Sequence, residues 1–237
     1  MENKLIVGNI KMNMKFGELS NYLNHFKNIK SENVVICPSY IYIPYFLNYD
    51  FSVGSQNVCA YEDGGYTGEV SARQLASIGV KYTIIGHSER RIKLNESDIE
   101  INKKIKKSLD SKLKVILCIG ETLEENKLLK KESVLKKQIR NALFDIKDLS
   151  NVIIAYEPVW SIGTNKLPTT DDLIYTVTYI KELVKEIYNT DIKVLYGGSI
   201  NEKNINDLKN VNELDGFLIG SASINPTQFT QIIDKIL

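Results

Sequence analysis

The stretch VIIAYEPVWSIGT, Val152–Thr164, opens with a β-branched apolar run and stops at a carboxylate, Glu157, followed at once by Pro158. An apolar run without alternation reads as a strand covered on both faces. Proline fixes its own φ and pushes the preceding residue towards extended backbone. Glu157 therefore stands at the end of a buried strand. Beside it lie the single tryptophan of the chain, Trp160, and a loop containing Gly163.

Working outward, seven further runs have strand character: Lys4–Gly8, Asn33–Cys37, Phe51–Gln56, Tyr82–Gly86, Lys114–Ile119, Lys193–Tyr196 and Asp215–Ile219. The third has the weakest pattern. Between the runs lie stretches of helical period. Leu173, Val177, Ile180, Val184 and Ile187 recur at threes and fours after a capping sequence, Pro168-Thr169-Thr170-Asp171. Ile99 to Leu109 and Ser133 to Leu143 behave alike. Alternating strands and helices imply parallel βαβ units. Eight such units without a linker or a shift in composition predict one closed (βα)8 barrel over residues 1–237. Polar residues and glycines gather after the runs: Asn9 and Lys11, Pro38 and Ser39, Gln56 and Asn57, His87 and Glu89, Glu121, Glu157, Gly197-Gly198-Ser199, Gly220-Ser221. A (βα)8 barrel builds its active site on that face.

Composition narrows the class. The 237 residues are 43% hydrophobic and 25% charged, with a formal net charge of +1, so no strong field points to nucleic acid or a membrane surface. The three cysteines, Cys37, Cys59 and Cys118, are odd in number and widely spaced, which suits neither a disulfide framework nor a zinc site and fits a reducing cytoplasm. No segment has the ~20 apolar residues of a membrane helix.

Seven motifs in order span the chain: GNIKMN (Gly8–Asn13), GGYTGEVS (Gly64–Ser71), IIGHSERR (Ile84–Arg91), CIGET (Cys118–Thr122), AYEPVWSIGT (Ala155–Thr164), YGGSI (Tyr196–Ile200) and DGFLIGSAS (Asp215–Ser223). The ordered set resembles the triosephosphate isomerase family. The resemblance implies the TIM barrel fold, no cofactor, no metal, and the interconversion of dihydroxyacetone phosphate and glyceraldehyde 3-phosphate through an enediolate. It implies a homodimer, with Thr67 in the Asn57–Ser71 connection near the second subunit's Asn9 and Lys11.

The same resemblance assigns roles, and the residue chemistry allows them. One carboxylate, Glu157, moves a proton between neighbouring carbons, its basicity raised by apolar surroundings from Pro158, Val159, Trp160 and Ile162. His87 precedes a predicted helix from Ser88 onward, whose positive end favours a neutral imidazole that donates to the substrate oxygens. Lys11 and Asn9, two apart, share one strand face and bring an ammonium to phosphate and oxyanion. Backbone N–H groups of Gly163, Ser199, Gly220 and Ser221 match the family's phosphate site. Pro158–Pro168, with Ser161 and Thr164, is the expected lid, latched by Tyr196 and Ser199. Ser88, Glu89 and Cys118 are expected in support, and Glu121 at a helix start.

Other readings exist for each residue singly: a solvated acid, a structural histidine, a surface lysine, ordinary glycine turns. Another phosphate-binding barrel enzyme would lack the joint Lys11, His87 and Glu157 set. A silent barrel used for binding would have lost one of them. The chain departs from the family at Ile10, where tryptophan is usual, and at Ser221 and Asn165, where glycines are. Serine at 221 would be strained if that position needed a positive φ, whereas asparagine tolerates left-handed backbone. Leu167-Pro168 is unusual at the second hinge, because proline fixes φ there and restricts its neighbour. Pro168→Ala is therefore expected to change the opening rate of the lid measured by solution relaxation; an unchanged rate would show that the hinge is indifferent to proline.

Overall fold

The computed structural model describes residues 4–164 and 166–237. Eight strands, Leu5–Asn9 (β1), Ser31–Cys37 (β2), Phe51–Ser55 (β3), Tyr82–Ile85 (β4), Lys114–Ile119 (β5), Val152–Tyr156 (β6), Lys193–Tyr196 (β7) and Gly216–Ile219 (β8), close into one ring in chain order. Every neighbouring pair is parallel. All eight expected strands are present, three with the expected limits. The helices are Phe16–Asn24 (α1), Ile43–Phe46 (α2), Ala72–Ser77 (α3), Ser88–Lys93 (α4), Asp98–Asp110 (α5), Leu123–Lys127 (α6), Lys131–Ala142 (α7), Thr170–Tyr188 (α8), Ile205–Leu208 (α9), Ser221–Ile224 (α10) and Pro226–Ile236 (α11).

Local sequence explains the long helices. α8 starts at Thr169, whose side chain accepts the Asp172 N–H at 3.2 Å. Asp171 and Asp172 place negative charge in its positive first turn. Its buried face is Leu173, Val177, Ile180, Leu183 and Val184, and it stops where Asn189 turns left-handed at φ 53. α5 is capped by Ser97 in the same way, its side chain accepting from Glu100.

Two apolar layers follow from strand alternation. Leu5, Val7, Val35, Cys37, Tyr82, Ile84, Ile116, Cys118, Ile153, Ala155, Leu195 and Leu218 form one buried cluster, the filling of the ring. The intervening strand residues join a second cluster with the helices, including Ile6, Ile36, Ile154, Tyr156, Tyr196 and Phe217. A strand sends successive side chains to opposite faces, so the inner series of β1 runs Leu5, Val7, Asn9, and that of β6 runs Ile153, Ala155, Glu157. The next inner positions of β4, β5, β7 and β8 are Gly86, Gly120, Gly197 and Gly220. Side chains plug the ring, and the rim above the plug is largely free of them.

Among the described residues no helix is long and apolar enough to cross a membrane.

Candidate active site

Register puts the carboxylate where it is. Ile119 pairs with Tyr156, and Tyr156 with Tyr196, so Gly120, Glu157 and Gly197 come next, side by side. The Glu157 N–H donates to the Ile119 carbonyl at 2.7 Å, and the Gly197 N–H to the Tyr156 carbonyl at 2.8 Å. The backbones approach so closely that a Cβ at Gly120 would lie 1.8 Å from the Glu157 carbonyl oxygen. A Cβ at Gly197 would lie 2.8 Å from Glu157 Cγ, so glycine there leaves the carboxylate its room.

The Glu157 side chain is buried, and its oxygens find two donors. Oε2 accepts the Ser88 N–H at 3.3 Å, and Oε1 lies 3.3 Å from His87 Nε2. His87 occupies the N-cap of α4, and its Nδ1 accepts the Glu89 N–H at 3.2 Å, a place usually filled by a serine or aspartate oxygen. A ring whose Nδ1 accepts a backbone N–H carries its proton on Nε2 when neutral, so the cap fixes the tautomer. The expected helix from Ser88 onward is there.

Lys11 reaches the same cavity by a route that strand alternation does not describe. β1 ends at Asn9, and Lys11 turns left-handed at φ 56. The turn is held from three sides. Its N–H donates to Asn9 Oδ1 at 3.0 Å, and its carbonyl accepts from Ser39 Oγ at 3.1 Å and from Gln56 Nε2 at 2.8 Å. Nζ pairs with Glu89 Oε1 at 2.8 Å. Burial alone would push the Glu89 carboxyl up, but the hydrogen bond and charge of Lys11 outweigh it and hold Glu89 below its ordinary value. The shared-face expectation is thus corrected to a left-handed turn, with Asn9 and Lys11 still together.

Asn9, Lys11, His87, Glu157, Ile162, Gly163, Ser199, Gly220 and Ser221 line one cavity of about 780 Å³. Ser221 opens α10, and it is not among the residues with positive φ, so serine is unstrained there. Asn165 lies outside the described residues. Ile10 is buried beside a separate cavity of about 260 Å³ that Tyr22 and Ile224 also line. Thr67 is exposed, far along the Asn57–Ser71 connection. That connection is ordered at its base, where the Cys59 N–H donates to the Val70 carbonyl at 2.9 Å, and near its tip, where the Tyr61 and Tyr66 rings stack with centroids 4.5 Å apart. Among the described residues no group of three or more His, Cys, Asp or Glu is set to hold a metal ion.

Three supporting residues, Glu121, Arg91 and Gln56, have roles that the sequence reading did not assign. Glu121 does not cap a helix: Thr122 and Glu125 form the capping box of α6. Glu121 is instead fully buried, its carboxylate accepting from Tyr156 Oη at 3.2 Å and Trp160 Nε1 at 2.8 Å, while its carbonyl accepts the Val159 N–H at 3.0 Å. Burial pushes its carboxyl up against these hydrogen bonds. Arg91 ties two strand ends together, donating to the carbonyls of Gly86 at 2.7 Å and Cys118 at 3.2 Å. Gln56 braces the turn at Lys11. Glu121 and Arg91 lie within the CIGET and IIGHSERR motifs, but neither motif shows these contacts. Cys118 is buried against Glu157; burial and then that carboxylate push its thiol up, so it stays protonated.

A model of the triosephosphate isomerase family matches residues 4–236. The triosephosphate isomerase of Alkaliphilus oremlandii is 38% identical over 99% of this chain and 100% of its own length. That of Thermodesulfovibrio yellowstonii is 38% identical over 98% and 99%, and that of Clostridium botulinum strain Loch Maree 38% over 99% and 100%. The chain belongs to the triosephosphate isomerase family. The family match runs through β1 to β8, and so covers every strand end that supplies the cavity.

The close approach at Gly197 makes a test of the geometry. Gly197→Ala is expected to push the Glu157 side chain aside and to lower turnover by about 100-fold, since displacements near 1 Å cost that much. A steady-state assay with a crystal structure of the variant checks it; full activity with the carboxylate displaced would contradict the geometry.

Proposed function

We propose that this chain is a cofactor-free aldose–ketose isomerase that interconverts dihydroxyacetone phosphate and D-glyceraldehyde 3-phosphate, the reaction shared by glycolysis and gluconeogenesis. The observation that carries the reading is the 3.3 Å approach of His87 Nε2 to the buried Glu157 carboxylate, in the cavity that Lys11 also lines. The proton-abstracting base and the hydrogen-bond donor for the neighbouring oxygen are side by side.

The substrate phosphate is held by the backbone N–H groups of Gly163, Ser199, Gly220 and Ser221, and the reacting carbons lie between Glu157 and His87. Glu157 removes the proton from one carbon. The electron pair moves to the carbonyl oxygen, which accepts a hydrogen bond from His87 Nε2–H and the field of the Lys11 ammonium, with Asn9 beside it. The hydroxyl proton passes from one enediolate oxygen to the other through His87 Nε2, and Glu157 returns its own proton to the neighbouring carbon as the new carbonyl forms. No covalent intermediate forms, and the buried Cys118 thiol packs against the base. Preorganised donors aimed at developing charge are each worth about 100-fold or more in such sites. The lid, Pro158–Pro168, excludes water from the enediolate and keeps its phosphate from leaving. Phosphate binding, remote from the reacting carbons, drives that closure.

The two other readings gain nothing. A silent binding barrel has no use for a buried carboxylate beside an imidazole, and a different phosphate enzyme has none for this particular trio. We place the enzyme in a reducing cytoplasm on its three buried free cysteines. The near-neutral charge argues against nucleic acid and membrane partners.

We infer a homodimer. The Asn57–Ser71 connection projects an ordered, exposed tip, too long for an idle turn. In a pair, Thr67 would meet the second subunit beside its own Asn9 and Lys11. Thr67→Arg is expected to halve the mass seen by sedimentation and to reduce kcat. An unchanged mass would place the interface elsewhere.

The test of the chemistry is a coupled assay on glyceraldehyde 3-phosphate with Glu157→Asp beside wild type. Shortening the side chain by one methylene withdraws the base from carbon and is expected to cost about 100-fold or more. Equal rates would remove Glu157 from the reaction.

A further inference from the structure

The ladder between β4 and β5 ends one step short of the site. Its last pair is Ile85 with Leu117. In the same register Gly86 and Cys118 come next, but Gly86 turns left-handed at φ 73 and β4 is over. Arg91 takes the place of the ladder there. Its guanidinium is a planar fork whose nitrogens point in fixed directions, and each nitrogen holds a different element. Nε donates to the Gly86 carbonyl at 2.7 Å, Nη2 to the Cys118 carbonyl at 3.2 Å, and Nη1 to Asp98 Oδ1 at 2.6 Å. Asp98 is itself held, since its Oδ2 accepts from Asn141 Nδ2 of α7 at 3.0 Å. The fork is thus fixed from behind by α5 and α7 while it grips two strand ends in front. Hydrogen bonds from a charged donor are stronger than neutral ones.

Each carbonyl leads to one member of the proton-transfer pair. A peptide unit is planar, so fixing the Gly86 carbonyl fixes the plane that carries the His87 N–H and Cα. The Cys118 carbonyl lies one residue before Ile119, whose own carbonyl accepts the Glu157 N–H at 2.7 Å. The Cys118 side chain packs against the Glu157 carboxylate. Arg91 lines not the cavity that Lys11 lines but a second one, of about 200 Å³, with Gly120 and Gln138; Glu157 lines both. We propose that Arg91 is the positioning residue of the pair, a bracket that holds the end of β4 to β5 and so sets the 3.3 Å separation of His87 Nε2 and Glu157 Oε1. It touches no substrate and acts through the two strand ends. The proposal rests on the isomerase reading for its kinetic consequence alone.

Two measurements test it, and the second needs no turnover. In Arg91→Met the fork is lost and the apolar stem kept. The kcat for glyceraldehyde 3-phosphate is expected to fall by about 10-fold or more, since small misplacements of reacting groups are costly. KM should change little, because the phosphate donors stand after β6, β7 and β8. The 15N resonances of the His87 ring are expected to shift, because they report the contact of Nε2 with Glu157. The chain has two histidines, so the signal is readily told from that of His25. A bracket that only stabilised the barrel would lower the melting temperature and leave both readouts of the folded protein where they were. Arg91→Lys keeps a charge for Asp98 but offers one nitrogen in place of three, and is expected to show the same two changes. It decides alone should Arg91→Met fail to fold. Unchanged kcat, a rise in KM alone, or a fall in kcat with an unmoved His87 resonance would overturn the proposal. Absence of isomerisation in the wild type would instead defeat the isomerase reading, and the resonance would still judge the bracket.

Discussion

The constraint on which the site depends is the packing of three strand ends around one carboxylate. A buried carboxylate is costly unless donors replace the water it gives up. Glu157 has a backbone N–H from the first turn of α4 and an imidazole N–H beside it. Both donors come from the start of α4, just after β4, whereas the carboxylate stands just after β6. They meet because β5, between them, is followed by a glycine: the Glu157 backbone passes where any side chain at Gly120 would have to be. Gly197 does the same for the carboxylate from the other side. The barrel brings the strands together, and the missing side chains at its rim let the acid turn inward.

The lid inherits this arrangement. It springs from β6 and is hinged at its start on the loop after β5, where Glu121 accepts from Trp160 and Tyr156 and takes the Val159 N–H on its carbonyl. Its middle is docked on the loop after β7 through Ser161. The strands that flank Glu157 therefore also supply the attachments of its cover. Buried networks of this kind are stiff when every member is satisfied. Here Glu121 is filled by a tryptophan, a tyrosine and a backbone amide, and the Ser161 hydroxyl by the Ser199 N–H, Tyr196 Oη and the Lys166 carbonyl. Beyond Ser161, Gly163 has a positive φ at 69, and Thr164 Oγ1 donates back to the Trp160 carbonyl at 3.0 Å.

Much of the fold was legible from periodicity. β5, β6 and β7 begin and end where their apolar runs do, because a strand in this ring is covered by the plug on one side and helices on the other. β3 was less legible for a physical reason: Ser52 and Ser55 are buried within it, Ser55 donating to Thr83 at 2.9 Å, and polar residues paired inside a barrel blur the apolar signal. Glu157 and His87 were legible because each ends an apolar run, and the N-cap position of His87 follows from the helix beginning at Ser88. What escaped were residues whose meaning is set by distant partners. Glu121 looks like the start of a helix in sequence, and only the fold shows the Trp160 ring above it. The turn at Lys11 gives no local sign, since lysine has no preference for φ 56. Three hydrogen bonds, one of them from Gln56, impose it.

That turn explains how a cation can be both neutralised and available. Left-handed backbone at a lysine costs about 1–2 kcal/mol, and its result is to aim Nζ into the cavity beside Gly220 while Glu89 grips it from the side. If Glu89 merely cancelled the charge, the pair would be useless to an anionic substrate. An ammonium has three donors, however, and the Glu89 contact uses one. Lys11 lines the same cavity as Glu157, whose carboxylate is already held by Ser88 and His87. Glu89 is itself kept ionised by Lys11, and its own N–H is the donor that sets the His87 tautomer. One residue thus fixes the direction of the cation through its side chain and the proton of the imidazole through its backbone, which ties the two electrophilic partners of the proposed reaction to a single turn of helix.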